Sequence, residues 1–224
     1  MRTCSALVAA LCATAPTQAQ VPDEALSIYA VHVVKTTPFE APFTGDGIYL
    51  GKGAVITAAH VIGRWGFLKN PRVLVAGQDL AASIVKEGSI DETDLVVLSV
   101  DESKLPVALR LRRNPLCKTP ARVGQEVIVV NPQHVARTHI MSPIYIEPRI
   151  RARFSSLTRE LVGASGSGVF DADQRCLRGI VSRKIVKYNY RRQNGKLIME
   201  DAGFAGYFVP ASTIAKFLPG EFRF

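Results

Sequence analysis

The sequence predicts an all-β fold divided into two β-barrels. Short runs rich in Val and Ile recur along the chain, bounded by Gly, Pro, Asn or Asp, as in barrels and sandwiches. Helical patterning is confined to one short stretch near the C-terminus. Residues 101–120 (DESKLPVALRLRRNPLCKTP) are polar and hold three prolines, which reads as a connection between two halves. A chain of 224 residues, 47% hydrophobic and 21% charged, has globular rather than disordered composition and can form one large all-β domain or two small lobes.

Residues 1–19 read as a secretory signal, with Arg2 before the apolar stretch Ala6–Ala13 and the small residues Thr17-Gln18-Ala19 at the cleavage point. The apolar stretch is too short to span a bilayer, and no later run reaches that length, so no transmembrane segment is expected. Cys12 follows Ala10-Leu11 without the small residue expected before a lipidated cysteine, which argues against a lipoprotein. The remainder divides into an N-terminal barrel over residues 20–110 and a C-terminal barrel with a closing helix over 111–224. An exported chain is expected in the periplasm or outside the cell. It keeps only Cys117 and Cys176, which read most simply as one disulfide, with two separate buried thiols as the alternative.

In order, Ser27–Val34 reads as the first strand, with His32 as a structural histidine inside it. Thr44-Gly45-Asp46-Gly47 reads as a turn, and the runs on either side of Gly51-Lys52-Gly53 as a hairpin. Gly51-Lys52 is no phosphate loop, because Asp46 stands where its first glycine belongs and Gly53 where its Ser/Thr belongs. RVLVA, AASIVKEG, the apolar run after Asp94, and VIVV follow as strands. IYIEPRIRARF reads as a further strand pair, and Asn194-Gly195 as a hairpin turn. The tail from Gly206 reads as a strand and then a helix opening near Pro210–Ser212. His134 and His139 share no ligand spacing with Cys or acidic residues, so neither metal nor cofactor is expected.

The formal net charge of +9 makes anionic partners attractive, but the basic residues are scattered and carry no nucleic-acid motif. No nucleic-acid partner is expected, and a solubilising surface charge is the simpler reading. Oligomeric state is left open by the sequence.

Three polar residues stand in contexts that suit acyl-transfer chemistry. His60 closes Thr57-Ala58-Ala59-His60, where small neighbours leave the imidazole room to face a cleft. Asp94 directly precedes an apolar strand, where a buried carboxylate would need hydrogen bonds or a cationic neighbour. Ser165 sits in Gly163-Ala164-Ser165-Gly166-Ser167-Gly168, whose glycines permit a tight turn and close approach of a substrate. Together they form a nucleophile, a base that takes its proton, and an acid that orients the base.

The segments TAAH (57–60), DLVVL (94–98) and GASGSG (163–168), in this order, resemble the three signatures of the chymotrypsin/trypsin-like serine protease superfamily, bacterial secreted type. The tail GYFVPASTIAKFL is similar to the closing strand and helix of its bacterial members, and the resemblance spans roughly residues 25–218. It implies two six-stranded antiparallel β-barrels, with the triad His60, Asp94 and Ser165 in the cleft between them. It also implies an oxyanion hole from the N–H groups of Gly163 and Ser165 and a Cys117–Cys176 bridge within the second barrel. The primary pocket is implied to be lined by Arg159, Glu160, Ser182, Arg183, Lys184 and Gly203–Gly206, whose basic residues would favour an acidic substrate side chain. The substrate would be a protein or peptide, cleaved through an acyl-enzyme.

Two departures stand out. Ala164 replaces the Asp that pairs with a new N-terminus in trypsin-type enzymes, so that activation switch is missing. Ser167 replaces a commoner glycine, as in some glutamyl-endopeptidase-like relatives. The alternatives are a catalytically silent or latent family member that binds a partner through its basic surface, and an esterase using the same triad.

Overall fold

The computed structural model describes residues 22–37, 40–63, 70–146, 148–151, 153–156, 164–185, 188–201 and 205–223. The signal expected over residues 1–19 lies outside them. Six strands, β1 (Ala30–Thr37), β2 (Glu40–Gly51), β3 (Ala54–Thr57), β4 (Asn70–Val75), β5 (Gln78–Glu87) and β6 (Val96–Val100), close into an antiparallel barrel in the order β1-β2-β3-β6-β5-β4. Its tight turns place Lys52 and Gly53 at φ 52° and 74°, and Ala76 and Gly77 at φ 49° and 77°. Such positive-φ pairs match the twist of a two-residue hairpin.

The second half holds β7 (Glu126–Val130), β8 (Val135–His139), β9 (Ser155–Ser156), β10 (Gly168–Asp171), β11 (Leu177–Ile185) and β14 (Ala205–Pro210), in the sheet order β8-β7-β10-β11-β14-β9. The strands β12 (Tyr188–Gln193) and β13 (Lys196–Asp201) form a separate hairpin, turning at Asn194-Gly195 with φ 52° and 78°. Among the described residues four short α-helices occur: α1 (Ala59–Ile62), α2 (Val107–Arg110), α3 (Pro148–Arg151) and α4 (Ala211–Phe217). The expected pair of six-stranded antiparallel units with a short C-terminal helix is therefore present.

Side-chain alternation sorts the core into three clusters. Val55, Tyr49, Val96 and Leu98 point into the first barrel, while their neighbours Ala54, Ile56, Ile48, Leu50, Leu95 and Val97 point the other way. That outer set meets Ile128, Val130, Phe170, Leu177, Ile180 and Val209 of the second half in one continuous cluster. Val127, Val129, Val169 and Phe208 form the third. The strands β3 and β6 are apolar on both faces because one face fills the barrel and the other the junction.

Three local readings are corrected. Asp23–Tyr29 is a 3₁₀ turn and the first strand begins at Ala30. Asp23 there meets Arg137 at 2.6 Å and Arg175 at 2.7 Å, so the leading segment is latched to the second half. The Arg137 hydrogen bond foremost holds the Asp23 carboxyl below its usual range. IYIEPRIRARF is not a strand pair: Pro143–Tyr145 is a 3₁₀ turn, Pro148 opens α3, and only Ser155–Ser156 pairs as strand. Proline lacks the N–H a ladder needs and suits the first helical turn. Thr44–Gly47 is not a turn but the middle of β2, where His32 pairs with Asp46.

Cys117 and Cys176 are bridged, with Cα atoms 5.1 Å apart. The bridge fastens the connection to the second sheet, where Leu116 and Leu177 add a parallel contact. Nearby, Asp171 is buried and accepts from Arg178 Nε and Nη2 (2.8 and 2.6 Å), Gln125 Nε2 (2.7 Å) and the N–H groups of Gln174 and Asp173 (2.7 and 3.0 Å). Burial works to raise its pKa, but the Gln174 N–H and the Arg178 guanidinium, with the Asp173 N–H, together hold it below the ordinary 3.8.

Candidate active site

The three chemistry-bearing residues come from three separate segments and meet at the junction of the halves. His60 lies on α1, whose start at Ala59 follows directly from the end of β3. Ala58 and Ala59 are fully buried, so α1 packs tightly while the His60 side chain stays a quarter exposed. Asp94 sits one turn before β6, fully buried and at φ 47°. Left-handed backbone is uncommon away from glycine but best tolerated by Asp and Asn, and such strain gathers at functional sites. The Asp94 N–H bonds the Ser89 carbonyl at 2.8 Å, which fixes the turn.

The Asp94 carboxylate faces His60 with both oxygens. His60 Nδ1 lies 2.9 Å from Oδ2 and 3.0 Å from Oδ1, and the His60 backbone N–H donates to Oδ1 at 3.0 Å. The Ser182 hydroxyl, from β11, donates to Oδ2. An imidazole held at Nδ1 by a carboxylate keeps its other nitrogen as the proton acceptor.

Ser165 is partly buried on the turn that leads into β10. Its hydroxyl donates to the Ser182 carbonyl at 3.1 Å. Ser182 thus joins the serine to the aspartate: its carbonyl holds Ser165 Oγ and its hydroxyl holds Asp94. Sequence reasoning gave Ser182 a place in the substrate pocket and missed this link to Asp94, which no local pattern signals across 88 residues.

The serine turn is moulded by the first barrel. Asp46 N–H donates to the Ser165 carbonyl at 2.8 Å, and Thr57 Oγ1 donates to the Asp46 carbonyl at 2.6 Å. Gly166 has φ +93°, and a Cβ there would lie 1.7 Å from the Asp46 carbonyl oxygen, so only glycine fits. Gly45 is likewise demanded by contact, since a Cβ would come within 2.7 Å of both Val61 γ-methyls. The Asp46 side chain, 7% exposed, accepts from Ser167 Oγ at 3.1 Å and faces His32 Nδ1 at 3.2 Å. Ser167, noted above as standing where glycine is commoner, therefore has a partner on the other half. Burial pushes the Asp46 carboxyl up, against the opposing pull of Ser167 and His32.

Among the described residues, no backbone carbonyl accepts from the Ser165 N–H. Gly163, Arg159 and Glu160 lie outside the described residues, as do 203–204 of the expected pocket. Lys184 pairs with Gly206 across β11 and β14. Arg183 bonds the Ile90 carbonyl and stands 4.0 Å from Asp91, so its charge is turned toward the loop that carries Asp94. Arg153 grips the same loop through the Asp91 carbonyl at 2.6 Å.

Comparison with known proteins returns the same architecture. The family model of the trypsin-like peptidase domain matches residues 45–180, more than half of the chain. The crystal structure of the Rv3671c protease from M. tuberculosis, active form, superposes with a TM-score of 0.59 at 17% identity, covering 92% of this chain and 93% of that one. A serine endoprotease from Yersinia pestis gives 0.61 at 21% identity, covering 88% and 66%. Catalytically active tobacco etch virus protease complexed with product gives 0.54 at 15% identity, covering 92% and 80%. At these identities the likeness is one of fold. No curated protein matches the chain in sequence.

Proposed function

The chain belongs to the trypsin-like peptidase domain family, and on that premise we propose that it is a secreted or periplasmic serine endopeptidase working through His60, Asp94 and Ser165. The observation that carries the reading is the hydrogen-bonded chain from His60 through Asp94 and Ser182 to Ser165. In the proposed cycle Ser165 Oγ turns to His60 Nε2, gives up its proton and attacks the substrate carbonyl, forming a tetrahedral adduct. His60 passes that proton to the leaving amine, which leaves the acyl-enzyme. Water then repeats the sequence and releases the acid. Asp94 holds the imidazole in one tautomer and answers its positive charge. The N–H groups of Gly163 and Ser165 receive the oxyanion. The disulfide fits an oxidising compartment. Among the described residues no helix is long and apolar enough to cross a membrane. The proposed division of the chain is 20–110 and 111–224.

A second reading rests on one observation: the Ser165 hydroxyl donates to Ser182 rather than to His60. It describes a latent family member. Labelling the protein with a fluorophosphonate probe separates the two. Adduct at Ser165, absent in Ser165→Ala, supports the endopeptidase, and kcat on a peptide substrate should fall on the order of 10⁶-fold in that variant. Absence of adduct in folded protein supports the latent form.

A further inference from the structure

A cavity of ≈ 370 Å³ opens away from the catalytic residues, none of which lines it. Its apolar walls come from both halves and the C-terminal segment: Leu50 of β2, Leu116 of the connection, and Leu218 and Phe222 after α4. That is the size and character of a pocket for a small ligand or a short peptide end.

One wall residue is out of place chemically. Asn114 is 1% exposed, and among the described residues neither its Oδ1 nor its Nδ2 has a hydrogen-bond partner. Its backbone N–H is already held by the Leu50 carbonyl at 2.9 Å, so the side chain is not needed to fix the loop. A buried carboxamide with both functions unused costs stability, and a leucine there would serve folding better. Residues that cost stability and serve no fold contact are characteristic of binding sites. Two cations, Lys118 and Arg223, also line the cavity and are themselves exposed; Arg223 Nε donates to the Leu218 carbonyl at 3.0 Å, and among the described residues no acidic side chain is in the lining.

These features select a ligand. An Oδ1 and an Nδ2 without partners among the described residues together complement a group that both donates and accepts, which a peptide unit does and a bare carboxylate does not. The apolar walls ask for an apolar side chain, and the cations for a negative end. We propose that this cavity binds the C-terminal end of an apolar peptide, with its last peptide group on Asn114, its side chain between Leu50, Leu116 and Phe222, and its carboxylate at Lys118 and Arg223. Peptide hydrolysis produces ends of this kind, but the site does not depend on the chain being a peptidase.

The test uses the full chain carrying Ser165→Ala, so that no peptide is cut, and fluorescence anisotropy of a fluorescein-labelled Gly-Ser-Gly-Ala-Leu with a free carboxylate. Saturable binding is expected, with the C-terminal amide of the same peptide weaker on the order of tenfold. Asn114→Leu should weaken the free acid on the order of tenfold while its thermal midpoint stays level or rises. Lys118→Ala with Arg223→Ala, both at exposed positions, should weaken the acid and leave the amide unchanged, which decides the matter if Asn114→Leu does not fold. No saturation up to about 1 mM peptide, equal binding of acid and amide, or undiminished binding by these variants overturns the proposal.

Discussion

Asp94, at the mouth of the first barrel, and Asp171, at the end of β10 in the second half, are both buried carboxylates at a strand edge, yet they are satisfied in different ways. Asp171 takes five donors, two of them from the permanently charged Arg178, which is itself 4% exposed. Its charge is matched by a partner that stays charged whenever the carboxylate is ionised. Asp94 takes a backbone N–H, a hydroxyl and an imidazole, and none of the donors described there carries a fixed charge. In the proposed cycle its negative charge is answered by His60 when that ring takes the Ser165 proton. A carboxylate closed off by arginine is a rivet. One closed off by neutral donors and an imidazole is a device for holding a cation that comes and goes.

The largest expected effect that sharpens this contrast is on Asp94. Asp94→Asn keeps the shape but favours the wrong imidazole tautomer, so kcat should fall on the order of 10⁴-fold with little change in thermal midpoint. Steady-state kinetics beside a melting curve would show it, and a large loss of midpoint with full activity per folded molecule would break the contrast. Asp171→Asn should do the opposite. It strands the buried Arg178 guanidinium, which costs about 3–5 kcal/mol of stability in a denaturant titration, while folded molecules retain kcat. Ser182→Ala removes one hydroxyl donor from Asp94, and kcat should drop roughly ten- to a hundredfold, since a hydrogen bond to a charged group is worth about 1.5–3 kcal/mol.

The smallest effects are in the pH dependence. The Asp171 carboxyl is held below 3.8 in the folded chain, so its contribution is present above that value and is lost as pH falls through the lowered one. Asp171→Asn should lack that acid limb in thermal midpoints measured from pH 2 to pH 8, roughly the span over which carboxylates set stability. Asp46 has the other sign. Its carboxyl is pushed above 3.8 by burial, so its contribution is full below 3.8 and is lost as pH rises through the raised value. Asp46→Asn should therefore gain midpoint relative to the parent as pH rises through that window. A constant difference would mean that Asp46 does not titrate there.

Two hairpins are legible because their chemistry is local: Lys52-Gly53 and Asn194-Gly195 both take positive φ in tight turns, and Ala76-Gly77, which the sequence reading leaves unmarked, does the same. His60, Asp94 and Ser165 stand out in the sequence for a related reason, since each lies in a short motif with its own neighbours. Missing were the contacts that need two distant segments at once. Asp46 in a Gly-Asp-Gly stretch reads as a turn because glycine usually marks one, whereas here Gly45 clears space for Val61 and the serine turn, and Gly47 for Val33 and Val55. The Ser182 hydroxyl and the unpartnered Asn114 amide have no signature in sequence, because what matters about them is the far side of the cavity or carboxylate they face. Pro148 sits inside a pattern of Ile and Arg residues that reads as strand, although its missing N–H suits the helix that forms.

The fit of Gly166 against the Asp46 carbonyl also has a meaning in time. A chain delivered N-terminus first presents the first barrel before the serine segment. The turn bearing Ser165 takes its shape from a strand of that barrel, through the Asp46 N–H on the Ser165 carbonyl. A nascent or truncated second half would carry the serine without the mould that shapes it. Competence to cut would arrive last, and only in a molecule already assembled.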